Sequence, residues 1–263
     1  MPVIIRNETY YEGQDLDSET FFGYLTDNEK IMTSQPSPAA LLQTWERILS
    51  NGYDNLVYIP MSSGLSSSYQ TACMLAEEYP GQIYVADTHR ISVTQRHAVS
   101  DAVSLKQNGI PADDIVSILE KEALLSVVLL GVNDLTYLKK GGRITPAAAA
   151  IASALNIKPL LIIQGERIDS YDKARGQKNC QKKLLKAMQQ YAADFKEKGY
   201  RIRIGAASSY LEQANAQEWH QKVKEAFPGD SVIYDPLTFS ISCHTGPNSF
   251  GMGISVISDS LRT

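Results

Sequence analysis

Apolar residues recur along this chain at two spacings, and the pattern changes near its middle. After Ser37-Pro38, residues Leu41, Leu42, Trp45, Ile48 and Leu49 repeat with the helical period and form one apolar stripe. Ser37 suits the N-cap, Pro38 the first helical position, and Gly52 ends the helix. The continuous apolar run Asn55–Met61 reads as a buried parallel strand. Ser68–Tyr79 reads as a helix, Gln82–Thr88 as a strand, and Val93–Gly109 and Pro111–Leu125 as two successive helices. Strand and helix alternate from about residue 30 to residue 125, which predicts a doubly wound parallel sheet.

Beyond that point the order differs. Ser126–Asp134 reads as a strand and Ala147–Ile157 as a small-residue helix. Pro159–Ala174 reads as a hairpin turning near Gln164-Gly165-Glu166, followed by a long amphipathic helix over Gln177–Gly199. Arg201–Ser209 reads as a strand, Glu212–Phe227 as a helix, and Ser231–Gly246 and Gly251–Ile257 as closing strands. The expected architecture is α/β in two domains. An N-terminal parallel-sheet domain spans 1–125 and an α+β domain spans 126–263.

Composition narrows the function classes. The chain has 263 residues, 43% of them hydrophobic, enough for one large or two modest cores. Its net charge of −4 lacks the basic excess of a nucleic-acid binder. Cys73, Cys180 and Cys243 lie far apart without a CxxC pair, as expected of reduced, buried thiols. No apolar run is long enough for a membrane span, and the N-terminus lacks the regions of a signal peptide, so a cytoplasmic protein is expected. No His pairs with Asp or Glu at metal-ligand spacing, so no metal site is expected.

Candidate chemistry concentrates in hydroxyls at helix entrances. Met61–Ser68 lies between a strand and a helix, where free N–H groups, serine hydroxyls and Gly64 suit a carboxylate or a phosphate. Plain capping by Ser66 or Ser67 is the alternative. Thr33 and Ser34 precede a second helix start, so two such entrances of one sheet can face a common crevice. A serine nucleophile is the competing reading, but the stretch is not a G-x-S-x-G elbow. His97 and His220 fall in predicted helices and are expected at the surface. His89 follows a strand end and is a candidate for lining the crevice; His244 lies in a Gly-rich loop. Lys139, Lys140 and Arg143, with Lys173, Arg175 and Lys178, are either solvated charge or a basic rim for an anion or an acidic partner.

Six ordered motifs then carry a resemblance. Thr33–Pro38, Ser62–Ala72, Leu138–Ile144, Ala154–Leu161, Ala174–Gly176 and His244–Gly253 together closely resemble the DegV family of bacterial fatty-acid-binding proteins, over essentially the whole chain. The resemblance implies a non-catalytic protein that encloses one long-chain fatty acid, such as palmitate, stearate or oleate, between its two domains, and needs no cofactor. It implies that a separate fatty acid kinase catalytic subunit is the partner, converting the presented carboxylate to an acyl-phosphate for phospholipid synthesis. It places the carboxylate at Thr33, at Ser66 with Ser63 as the fallback, and near His244. It places Arg143 and Arg175 at the pocket mouth, where the kinase engages. The alternative is a serine hydrolase or acyl transferase using Ser63 or Ser66.

Two departures from the family pattern matter. Ser67 and Ser68 stand where the family has Gly and Thr, which alters how closely backbone and carboxylate approach. The family pattern also opens with a strand and helix before a strand resembling Pro2–Ile5, so roughly two dozen residues of that pattern have no counterpart here and a sheet edge is expected to be unpaired. For an acyl ligand most affinity must come from the chain. At roughly 0.8 kcal/mol per CH₂, ~15 methylenes supply on the order of 12 kcal/mol before ordering costs. Candidate tunnel walls are Ala147–Ile157, Pro159–Ile163 and the helix carrying Leu41, Leu42 and Trp45.

Overall fold

The computed structural model describes residues 1–27, 29–133, 135–150, 156–165 and 167–261. The chain begins with a hairpin, β1 (Pro2–Ile5) and β2 (Glu8–Tyr11), whose turn residues Arg6 and Asn7 both take positive φ, as a two-residue hairpin requires. Then come α1 (Ser18–Thr26), β3 (Ile31–Thr33), α2 (Pro38–Ser50), β4 (Leu56–Tyr58), α3 (Ser68–Ala76), β5 (Ile83–Val85), α4 (Ser92–Gln107) and α5 (Ala112–Lys121). The second half supplies β6 (Ser126–Gly131), α6 (Thr136–Gly141), α7 (Pro146–Ala149), β7 (Ile157–Ile163), β8 (Asp169–Arg175) and α8 (Gln177–Glu197). It closes with β9 (Ile202–Ser208), α9 (Gln213–Ala226), β10 (Val232–Pro236), α10 (Phe239–Thr245) and β11 (Phe250–Val256).

The largest sheet runs β10-β9-β11-β6-β7-β8, with β9 and β10 parallel and its other pairs antiparallel. Successive side chains of a strand point to opposite faces, and β6 uses both. Val127 and Leu129 pack with Leu184, Met188 and Trp219 from α8 and α9. Val128 and Leu130 point the other way, toward the space beneath α4.

On that second face, glycines set how close the helix comes. Gly205 and Gly253 are register partners across β9 and β11. A Cβ on Gly205 would stand 2.6 Å from Val93 Cβ, and one on Gly253 2.6 Å from Thr94 Cγ2. The first turn of α4 therefore rests on bare backbone. Two residues along, the row Leu130, Gly251 and Ala207 crosses the sheet, and among the described residues no helix is seated on it.

The mixed α/β architecture expected from the sequence is present. Ser37 caps α2 by accepting the Ala40 N–H at 3.2 Å, with Pro38 at the first helical position. Some details differ. β3 pairs antiparallel with β1 in a three-stranded sheet, while β4 and β5 form a separate parallel pair. Among the described residues the other edge of β4 carries no strand, and Val99 and Val103 of α4 lie exposed nearby at 44% and 52%. Phe239–Thr245, expected as strand, is a helix. Its apolar residues alternate as a strand's would, but Phe239 and Cys243 bury together against Val3 and Phe21 while Ile241 between them turns toward the space beneath α4, a division a helix makes and a strand does not. His97, expected at the surface, is 2% exposed because α4 is covered on both sides. The three thiols are free, Cys180 and Cys243 buried and Cys73 half-buried. Of the small-residue helix, α7 is present, and residues 151–155 lie outside the described residues. Among the described residues no helix is long and apolar enough to cross a membrane.

Candidate functional site

The space beneath α4 is a chamber whose unfilled volume, together with the open solvent at its mouth, is about 960 Å³. The sheet supplies its floor with Val128, Leu130, Ile163, Ala207 and the bare backbone at Gly251. Met61, Leu65, Ile91 and Val93 come from the N-terminal half, and Leu237 and Ile241 from in and around α10. These walls are apolar, so an apolar chain entering them gains roughly 0.8 kcal/mol per methylene removed from water.

At one end the wall becomes polar. Thr33, Ser34, Gln35, Ser66, Arg143 and His244 gather there from four separate segments. The two hydroxyl-bearing entrances belong to different sheets, not to one as expected, yet they line the same chamber. A reciprocal pair of hydrogen bonds holds them together. Gln35 Nε2 donates to Thr71 Oγ1 of α3 at 2.9 Å, and Thr71 Oγ1 donates to Gln35 Oε1 at 3.1 Å. Gln35 was not singled out by the sequence because an amide in a loop carries no periodic signal.

Thr33 Oγ1 and His244 Nε2 lie 2.9 Å apart. Burial pushes the His244 imidazole down to about 4, and the Arg143 guanidinium adds to the shift. His244 is therefore neutral at pH 7. With the proton on Nε2 it donates to Thr33 Oγ1, which frees the threonine proton for an anion in the chamber. Ser66 Oγ accepts the Ser68 N–H at 3.2 Å and pairs with Ser68 Oγ at 2.8 Å, while Ser67 holds the N-cap position without a side-chain bond. Ser66 thus caps α3 loosely and still lines the chamber. Arg143 donates through Nη1 to Gly141 O and through Nε to Leu65 O at 3.5 Å, bridging the loop after α6 to the serine loop.

Thr33, Arg143 and His244 also line a second cavity with Lys30, Tyr137 and Lys140. The polar end is thus a partition between the apolar chamber and this second cavity, the vestibule.

The remaining candidates lie elsewhere. Ser63 is not among the chamber walls, and its N–H donates to Asp87 Oδ1 at 3.3 Å. His89 is also outside the chamber, its Nε2 lying 3.7 Å from Asp87 Oδ2. Arg175 is exposed at the end of β8, opposite Ile157, and lines neither cavity. Among the described residues, no histidine is hydrogen-bonded to the Oγ of Ser63 or Ser66, the contact a serine nucleophile needs. No three metal-ligating side chains cluster among the described residues.

The profile of the family described as "Uncharacterised protein, DegV family" matches residues 1–256. A DegV domain-containing protein of Streptococcus pyogenes serotype M6 is 30% identical over 261 residues, 97% of this chain and 89% of the relative. The structure of a fatty-acid-binding DegV family protein from Thermus thermophilus is similar at a TM-score of 0.85 and 27% identity, covering 97% of this chain and 90% of that one. A fatty acid binding DegV family protein from Streptococcus agalactiae is similar at a TM-score of 0.83 and 28% identity, covering 98% and 90%.

Proposed function

The chain belongs to the DegV family, and from that premise we propose that it binds one long-chain fatty acid, such as palmitate, stearate or oleate, and presents its carboxylate to a partner. The observation that carries this reading is the partition between chamber and vestibule. An apolar space ends at hydroxyl donors, and one of them, Thr33, also lines a second cavity together with Arg143 and His244. Two solved relatives at 27% and 28% identity are described as fatty acid binding.

In this proposal the acyl chain lies over the row Leu130, Gly251 and Ala207, where small side chains leave room. The carboxylate meets Thr33 and Ser66. A carboxylate leaving water must find hydrogen-bond donors, or its burial is costly. His244 fixes the direction of the Thr33 hydroxyl without supplying charge. Arg143 supplies the nearby positive field, so the ligand binds as an anion.

The finer part of the proposal concerns the partner. The vestibule exposes the head group on the side of Lys30 and Lys140, which suits approach by a fatty acid kinase catalytic subunit in the cytoplasm. That subunit would phosphorylate the carboxylate, and this chain would hold the acyl-phosphate for phospholipid synthesis. Arg143 lines both cavities and is the residue proposed to meet it; Arg175 lines neither.

Combining Thr33→Val with Ser66→Ala tests the clamp. Each lost hydroxyl-to-carboxylate bond costs about 1.5 kcal/mol, so palmitate affinity should fall about 100-fold. Hexadecanol, with the same chain and no carboxylate, should lose far less. Acyl-phosphate formation with the kinase should fall alongside palmitate binding. Unchanged palmitate affinity in the double variant contradicts the assignment of these hydroxyls.

A further inference from the structure

The imidazole of His244 is held on both edges. Nε2 meets Thr33 Oγ1, and the opposite edge lies over Gly141, the last residue of α6. A Cβ on Gly141 would overlap Nδ1 and stand 3.2 Å from Cε1 and 3.3 Å from Cγ. The two helices meet a second time with the roles exchanged. A Cβ on Gly246, just past α10, would overlap Tyr137 Cδ2 and stand 2.7 Å from Cε2. Each helix thus presses a ring into a glycine of the other, and the pair of sockets fixes how α6 and α10 sit together.

The adjacent glycines of Lys140–Arg143 have separate reasons. Gly142 takes φ of +66° as the C-cap of α6, a conformation that favours glycine. A Cβ there would meet nothing within 4 Å. Gly141 has ordinary helical backbone, so conformation does not require glycine there. What requires it is the imidazole.

We propose that Gly141 is a positioning residue of the clamp, a socket whose missing side chain sets where the His244 ring stands and hence where the Thr33 hydroxyl points. The inference rests on the reading of Thr33 and His244 as part of a carboxylate site. Arg143 reinforces the arrangement, because its guanidinium donates to the Gly141 carbonyl and keeps the socket against the chamber mouth. Alanine at position 141 displaces the ring away from α6. The ring then meets Thr33 in a new direction or loses the contact.

The test is a double-mutant cycle of Gly141→Ala with His244→Ala, read by calorimetric titration with palmitate and with hexadecanol. Gly141→Ala alone is expected to weaken palmitate about tenfold or more and to leave hexadecanol nearly unchanged. In the His244→Ala background the same substitution is expected to have no further effect, since no ring remains to be displaced. A purely structural role would weaken both ligands and would persist without the histidine. The His244 Cε1–H proton resonance gives a second readout, and it should shift in Gly141→Ala as the ring leaves its socket.

Full palmitate affinity in Gly141→Ala, or an equal loss in both backgrounds, overturns the proposal. If the wild-type chain fails to bind palmitate, the fatty-acid reading fails. The positioning claim is then decided by the histidine resonance alone, and an unshifted resonance overturns it. Should Gly141→Ala fail to fold, recovery of folding in the double variant supports the socket and lack of recovery overturns it.

Discussion

Replacing Ala207 with Phe should remove most long-chain acyl binding while leaving the protein folded. Ala207 sits on β9 beside Gly251, in the row of the sheet that lines the chamber. Its neighbour Ala206 points to the opposite face and is fully buried in the core with α8 and α9. A phenyl group at 207 therefore enters the chamber and not the packed core. It displaces a volume comparable to about four methylenes, worth roughly 3 kcal/mol, so palmitate affinity should fall by about 200-fold. A short acid such as octanoate, which need not reach past the obstruction, should lose less. The check is titration of both acids against wild type and variant, with thermal melting to establish that the variant is folded. Unchanged palmitate affinity in a folded variant would place the acyl chain elsewhere.

The largest stability effect is expected at Asp101, far from the clamp. Asp101 of α4 is 1% exposed and pairs with Arg203 of β9, while Arg90 Nη1 lies 4.0 Å away on its other side. Arg90 is itself 3% exposed, and Nη2 donates to Glu122 O at 3.0 Å. Among the described residues its Nε and Nη1 have no hydrogen-bond partner. Burial raises the Asp101 carboxyl, opposed by the attraction of Arg203. Removing the carboxylate leaves two guanidinium groups facing each other, one of them fully buried. Loss of one partner of such a buried pair costs about 3–5 kcal/mol. Asp101→Ala should lower the unfolding free energy by that amount in urea titration. Arg203→Ala should cost less, because that side chain is partly exposed and Arg90 remains beside Asp101. A loss for Asp101→Ala no larger than a surface substitution would mean the cluster contributes nothing to seating α4 on the sheet.

How much of this was legible in the sequence depends on the range of the interaction. Local signals read well. Ser37 and Pro38 start α2 as the capping pattern says, and the hairpin of β7 and β8 turns where Gly165 stands. Long-range choices did not read well. The alternating Phe239, Ile241 and Cys243 carry a strand's pattern, and only the core formed by Val3 and Phe21 turns them into a helix. The polar look of α4 concealed that it lies between two layers, where His97 pairs its Nδ1 with Ser255 Oγ at 2.7 Å. At the site, Thr33, Ser66, Arg143 and His244 come together from the positions the motifs marked. Ser63 and Arg175 carry the same residue chemistry but face elsewhere, a matter of side-chain direction that sequence spacing does not encode. The glycines show the same divide. Gly142 is readable as a helix stop, whereas the roles of Gly141, Gly205 and Gly253 depend on rings and helices from distant segments.

The most direct test of the account is native mass spectrometry of the full chain purified from a bacterial host, before and after delipidation and addition of palmitate or oleate. The account predicts one bound fatty acid per chain as purified, its loss on delipidation, and 1:1 rebinding of the added acid. A chain that carries no acyl ligand as purified, and takes up neither acid when both are offered, contradicts it.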